Sequence, residues 1–394
     1  MLNEIFNNER LREARIYRGL SLEELGTELS ELASKPISKQ MISKFEQGLS
    51  IPDSNIIFGL IQILNFPRKY FYSTDIFRYN VGNSYFRALL SVSKKEKQRQ
   101  ILKIENIALM RFFLEEHIEF PKISLPDLSA IEGIEEKASE LRMLWELGDK
   151  PIDNAVELLE EKGLVVTDLT FSDSNVDAFS QRISLNNGNS METYYVIVLG
   201  NNKKSFYRRQ FDSIHELAHL LLHEYIDGID ELQNDEYKNI ERQADSFAGY
   251  FLLPADSFGK DVSKAPLNLN YYSELKLKWK VSIASMIVRA KQLEIITPEQ
   301  YQSLFKSLSR KRWRKEEPLD SLTPQAKPLA FEEALDLLFE EGIYNTRTFL
   351  DGFSNLTGKY LESSEIEKLL NLENNYFSKY SSRNQNIVSM KIRK

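Results

Sequence analysis

Two of the chain's four histidines stand four residues apart in the run His215-Glu216-Leu217-Ala218-His219. On an α-helix that spacing puts both imidazoles on one face, about one turn apart, where they can share a single metal ion. Glu216 then lies beside the metal, and its carboxylate can take a proton from a water that zinc has made acidic. That is hydrolytic chemistry. The neighbours Ile214, Leu217, Ala218, Leu220, Leu221 and Leu222 argue against a merely decorative surface helix, because they are too apolar for exposure.

A catalytic zinc takes three protein ligands and one open position, so two histidines are too few. Cysteine is absent, which leaves nitrogen and oxygen donors. Glu241 is the best candidate for the third ligand. It opens the cadence Glu241, Ala244, Asp245, Phe247, Ala248, Leu252 of a second helix, in which Ala244, Phe247, Ala248 and Phe251 make the inward stripe. Asp245, one turn beyond Glu241, can accept a hydrogen bond from the non-metal nitrogen of a ligating histidine and so fix its tautomer. His223 continues the first helix face and is assigned a supporting or structural role, since one zinc does not comfortably hold three histidines at four-residue intervals. The oxyanion-stabilising residue is open among Tyr225, Tyr250 and Arg208.

The elements that must position these groups follow from periodicity. Ser205 to His223 and Tyr237 to Leu252 read as the two site helices, the second stopped by Pro254. Before them, Pro151 to Lys162 reads as a helix stopped by Gly163, and Leu164-Val165-Val166 starts a strand. Val176 to Leu185 is a more polar strand, and Tyr194 to Leu199 is continuously apolar, as in a strand covered on both faces. A small sheet against helices results. Leu275 to Leu293 and Pro298 to Leu308 read as two further helices, Glu316 to Pro328 as a linker, and Phe331 to Gly342, Thr346 to Phe353 and Ser363 to Leu370 as short amphipathic helices of a cap or interaction unit. Ser91 to Phe120 and Ile131 to Leu147 are connecting helices. His117, near the end of the first, is left outside the metal site.

The N-terminal stretch alternates short amphipathic helices with punctuation. Ser21-Leu22-Glu23-Glu24 is a capping box that starts a helix after Gly19. Ser30 to Pro36 reads as a turn, and Ser38 to Gln47 as a helix with Met41, Ile42 and Phe45 inward. Lys39, Gln40, Ser43 and Lys44 are left on its outer face, and these side-chain types suit base edges and phosphates in a major groove. The whole chain carries a net charge of -7, so any DNA contact must come from a local patch. The basic runs Lys94 to Arg99, Arg310 to Lys315 and Met390 to Lys394 read as solvated faces or tails.

Leu11-Arg12-Glu13-Ala14-Arg15, Ser21 to Leu25, Ile42-Ser43-Lys44-Phe45-Glu46-Gln47-Gly48 and Pro52 together resemble the lambda-repressor-like (XRE) helix-turn-helix family. Arg208 to Ile214 running into HELAH, then Leu221-Leu222-His223, then Glu241 to Ala248 ending in Leu252-Leu253-Pro254, resemble the ImmA/IrrE metallopeptidases. Val176 to Ser180, Leu277 to Ser282 and Trp313 to Leu319 fit the long members that carry an XRE module in front. The second resemblance implies His215, His219 and Glu241 as zinc ligands, Glu216 as the base, and site-specific cleavage of repressors.

The reading is therefore an α+β protein, predominantly α-helical: a helix-turn-helix bundle (1–73), a helical connector (74–150), a zincin-like peptidase domain with a small sheet (151–310), and a linker with a small helical C-terminal domain (311–394). Together with the two resemblances it implies a cytoplasmic zinc endopeptidase and DNA-binding regulator, expected to meet a double-stranded DNA operator, to cleave a repressor or itself, to pair with a second copy and to involve no membrane. The rivals are a non-enzymatic transcription factor whose peptidase-like part senses a small molecule or metal, and an antitoxin or defence-type regulator acting by protein contact.

Overall fold

The computed structural model describes residues 5–85, 93–169, 178–200, 205–224, 226 and 232–381. The Met390 to Lys394 run, Tyr225 and the start of the Val176 to Leu185 strand lie outside them. The fold is predominantly helical with one small mixed sheet. No helix among the described residues is long and apolar enough to cross a membrane.

Four short helices open the chain: α1 (Asn8–Arg18), α2 (Leu22–Ala33), α3 (Lys39–Glu46) and α4 (Ser54–Leu64). The capping box at α2 forms as the sequence dictates, with Glu24 N–H donating to Ser21 Oγ at 3.1 Å and Ser21 N–H to the Glu24 carboxylate at 2.6 Å. The turn before α3 is shorter than its composition implies, because α2 continues through Ser30 to Ala33 and ends only where Ser34 adopts φ 48°. Leu11, Ala14, Leu25, Leu29, Ile42 and Leu60 are fully buried between these helices.

The connector supplies more than helix. It contains a strand, β1 (Arg78–Tyr85), before the long α5 (Lys94–Glu115) and α6 (Ile134–Leu144). After α7 (Ala155–Glu161) come β2 (Val165–Leu169), β3 (Ala178–Asn186) and β4 (Met191–Gly200). The sheet order is β1-β3-β4-β2, with β1/β3 and β3/β4 antiparallel and β2/β4 parallel. Placing β4 in the middle explains its unbroken apolar run.

Side chains alternate across a strand, and here the alternation divides the molecule into two cores. Phe179, Ile183, Leu185, Tyr194, Val196 and Val198 face one core, shared with α1 to α5 and the last helices, α14 (Ala330–Glu340), α15 (Thr346–Thr357) and α16 (Ser363–Leu369). Ala178, Ile197, Leu199 and Val166 face the other. That second core holds α8 (Phe206–Leu222), α9 (Asn234–Leu252), α10 (Ala255–Val262), α11 (Leu269–Trp279), α12 (Ile283–Gln292) and α13 (Pro298–Arg310). The C-terminal helices thus close back on the N-terminal module: Tyr17 Oη and Arg18 both reach the Glu365 carboxylate, at 2.8 and 2.6 Å.

Two elements differ from the sequence reading. Leu275 to Leu293 is two helices, because Lys280 turns left-handed (φ 57°), Val281 is buried and Ser282 caps α12 through the Ser285 N–H at 3.1 Å. The stretch from Glu316 to Pro328, read as a linker, is packed into the second core: Glu317, Asp320 and Ala326 are all buried. Its carboxylates meet the buried Lys276 ammonium, an arrangement that composition alone does not reveal.

Candidate metal centre

Helix α8 starts at Ser205, whose hydroxyl accepts from Arg208 N–H, and lies against β3 and β4 on one side and α9 on the other. Its apolar residues Ile214, Leu217 and Ala218 are fully buried, which fixes the rotation of the helix and sends His215 and His219 toward α9. On α9 the stripe Ala244, Phe247, Ala248 and Phe251 is likewise buried to 0% exposure and leaves Glu241 at the same meeting line.

The three side chains converge. His215 Nε2 and His219 Nε2 are 3.1 Å apart, His215 Nε2 is 3.5 Å from Glu241 Oε2, and His219 Nε2 is 3.5 Å from Glu241 Oε1. With zinc–ligand bonds of about 2.0–2.1 Å, ligand atoms at the corners of a tetrahedron lie about 3.3–3.4 Å apart. The two imidazole nitrogens lie close to that separation, and each has one of the two Glu241 oxygens at 3.5 Å. Two imidazole nitrogens and one carboxylate are also a donor set that zinc accepts, so the residues fit the ion.

The outer partners orient the lone pairs. His215 Nδ1–H donates to Asp245 Oδ1 at 2.9 Å, which leaves its Nε2 lone pair for the metal. A relay does the same for His219. Gln243 Oε1 can only accept, so His223 Nε2–H donates to it at 3.1 Å, and His223 Nδ1 is then the acceptor for His219 Nδ1–H at 3.0 Å. His219 Nε2 is therefore the unprotonated nitrogen. Burial, followed by the neighbouring His219, pushes His223 down to about 4, which keeps it in the neutral form the relay requires. Replacing His223 with Ala removes this acceptor and is expected to weaken zinc binding roughly 10–100-fold in competition with a chelator; an unchanged affinity would exclude the relay.

Electrostatics reinforce the trio. Burial opposes charge on His215, but hydrogen bonds to Asp245 and Glu241 outweigh it and raise the imidazole to about 10. Burial also works against Glu241, yet the two histidines hold its carboxyl well below the usual range. The carboxylate charge of Glu241 thus faces both ring nitrogens across the space that a cation would fill, and metal binding competes with protons for these groups.

Glu216 is fixed by the sheet. The pleat that sends Phe179 and Ile183 to one face sends Ser180 to the other, where its hydroxyl donates to Glu216 Oε2 at 2.8 Å. Burial raises this carboxyl to about 8. Sequence reasoning did not give Ser180 a role, although it closes the Val176 to Ser180 stretch noted above. Tyr237, one turn before Glu241, was also passed over; its hydroxyl donates to Glu241 Oε1 at 3.0 Å.

The other candidates are placed as follows. Arg208 donates to the backbone carbonyls of Arg314 and Lys315, and Tyr250 lies under the Arg289 guanidinium, 4.4 Å from ring centroid to Cζ. Glu224, just beyond the end of α8, is paired with Arg182 at 2.9 Å. His117 is exposed and meets the Tyr344 hydroxyl at 2.8 Å, away from the metal centre. On α3, Lys39, Gln40 and Lys44 are exposed, and Ser43 is half-buried and accepts from the Gln47 amide. Glu46 at the end of α3 takes both Nε and Nη2 of Arg15, at 2.6 and 2.9 Å, and so pins that helix to α1.

Residues 159–291 match the family model of the peptidase M78 family, described as the IrrE N-terminal-like domain. The span runs from α7 through α12 and includes the whole trio, Glu216 and Ser180. This part of the chain is a metallopeptidase-like domain. No curated protein matches the chain.

Proposed function

We propose that the chain is a zinc-dependent endopeptidase joined to a DNA-reading module, acting in the cytoplasm on a partner repressor or on itself. The observation that carries the proposal is the buried convergence of His215, His219 and Glu241, each offering one ligand atom within 4.8 Å of the others, with Glu216 beside them. His215, His219 and Glu241 would hold the ion. When bound, zinc supplies Lewis acidity, lowering the pKa of water and polarising a carbonyl.

The chain's own residues account for the proton traffic. Beside a cation held by the trio, Glu216 would favour its ionised form over the buried neutral acid. With Ser180 holding Oε2, Oε1 is then left to take a proton as a water oxygen attacks the peptide carbonyl. The same carboxyl then delivers that proton to the departing amide nitrogen, so that its charge is restored at the end of the turn. Low exposure of Glu216, His215 and His219 keeps bulk water away from these groups.

The regulatory half rests on α3. Its exposed Lys39, Gln40 and Lys44, with Ser43 between them, are proposed to enter a major groove, with two copies pairing on a two-fold operator. Removing Lys39, Gln40 and Lys44 together is expected to abolish specific operator binding in a mobility-shift titration while zinc content stays at the wild-type level. Undiminished operator affinity would assign the module to protein contact. The catalytic half is tested by incubating purified wild-type and Glu216→Gln protein with co-encoded repressors and following cleavage alongside metal content.

A further inference from the structure

Away from the metal centre, a half-enclosed cavity of about 520 Å³ opens where α1, α5 and the segment after α16 meet. Its charged lining is Arg18, Arg99, Lys103, Lys368, Glu365 and Glu367. Four cations face two carboxylates, and the carboxylates are already engaged. Glu365 accepts from Tyr17 Oη and Arg18, and Glu367 accepts from the backbone N–H groups of Asn375 and Phe377. Arg18 is engaged as well, since its guanidinium also donates to the Leu64 and Asn65 carbonyls.

The surplus lies on Arg99, Lys103 and Lys368. Arg99 gives Nε to the Tyr17 carbonyl and holds Glu96 only weakly at 3.5 Å. Lys103 is half-buried and makes neither an ion pair nor a hydrogen bond with any described residue. Burial and then the Arg99 guanidinium push its ammonium down to about 8, so it remains mostly charged at neutral pH in a setting that disfavours the charge. Glu96 and Glu365 attract this ammonium from a distance, but each is already hydrogen-bonded to other side chains and neither forms an ion pair with it, so a half-buried cation beside Arg99 is left with room for a closer counter-charge. The cavity walls also carry the side chains of Leu169, Leu369 and Leu372, which would contact an organic portion, and the Asn374 amide as a further donor.

We propose that this cavity is a binding site for a small phosphorylated ligand, whose dianionic phosphate is held by Lys103, Arg99 and Lys368. The lining side chains carry four cations against two carboxylates, with Glu96 engaging Arg99 from outside the lining at 3.5 Å, and the remaining positive charge has the sign that an anionic phosphate monoester would meet. Arginine and lysine together suit its three oxygens better than a single carboxylate. Because Tyr17 and Arg18 belong to α1, which pins α3 through Arg15 and Glu46, an occupant would bridge the N-terminal module to the C-terminal helices.

The test uses the full chain and inorganic phosphate as the probe, titrated at constant ionic strength against sodium chloride. Saturable broadening of the ³¹P resonance and a rise in the thermal midpoint are expected in wild-type protein and equally in Glu216→Gln. Lys103→Met, which keeps the length of the side chain, is expected to weaken binding by at least about tenfold. If Lys103→Met fails to fold, the Arg99→Gln/Lys368→Gln variant serves the same purpose with more exposed positions. Absence of saturable binding to wild type overturns the proposal. So does equal binding by wild type and the cavity variants, which would place phosphate at the metal centre or another basic surface.

Discussion

Glu216→Gln is expected to lower peptide-bond cleavage by about 10³-fold with zinc stoichiometry and fold unchanged. The substitution is nearly isosteric, and the Ser180 hydroxyl can still donate to the remaining carbonyl oxygen at the position it now holds at 2.8 Å. Glu216 is not one of the three groups at ligand spacing, so His215, His219 and Glu241 keep their geometry. What is lost is a carboxylate able to take a proton, since an amide is not a base near neutral pH. Cleavage assays against a co-encoded repressor, with metal analysis on the same samples, check both halves. Wild-type cleavage by a zinc-loaded Glu216→Gln protein would remove this residue from the chemistry. Regulation in cells that persists unchanged in the variant would favour a sensor over an enzyme.

The site was legible because its logic is local. A spacing of four on a helix brings His215 and His219 together whatever the rest of the fold does, and the apolar cadence after Glu241 announced a second helix that must bury the same side. Ser180 was not legible in this way. Its contact with Glu216 spans 36 positions in sequence and depends on the phase of a strand whose faces both turn inward, so polarity gave no sign of direction. The His223 relay was half legible: the helix face was visible, but the acceptor Gln243 belongs to α9 and comes into range only when the two helices dock.

The same distinction runs through the fold. Capping residues marked helix starts well, as at Ser21, but the break before Ser282 was masked by apolar residues on both sides. Strand β1 was read as part of a connector because Arg78-Tyr79-Asn80-Val81 carries little strand signal by itself; pairing with β3 makes it a strand. The docking of α14 to α16 on α1 and α5 is decided by long-range ring packing, such as Phe113 against Phe349 and Phe353 at 5.3 and 5.8 Å, which periodicity in one segment cannot foresee.

Lys276 offers the sharpest test of the packed segment that looked like a linker. Its ammonium is fully buried, 2.8 Å from Glu317 Oε2 and 2.7 Å from Asp320 Oδ1, over the ring of Tyr207. Glu317 in turn caps α12 by accepting from the Ile283 and Ala284 N–H groups at 2.8 and 3.0 Å, and Asp320 accepts from Ser205 Oγ at the start of α8. Lys276→Met keeps most of the volume but leaves two buried carboxylates without their cation. Breaking such a pair from one side costs about 3–5 kcal/mol, so the urea midpoint is expected to fall sharply with little change in slope. Neutralising the acids as well, in Lys276→Met/Glu317→Gln/Asp320→Asn, is expected to restore much of the loss, because the uncompensated charge is gone while amide oxygens still accept from Ile283 and Ser205. A midpoint for Lys276→Met equal to wild type would mean that the acids find another counter-charge. Failure of the triple variant to recover would shift the cause from charge to packing around Tyr207.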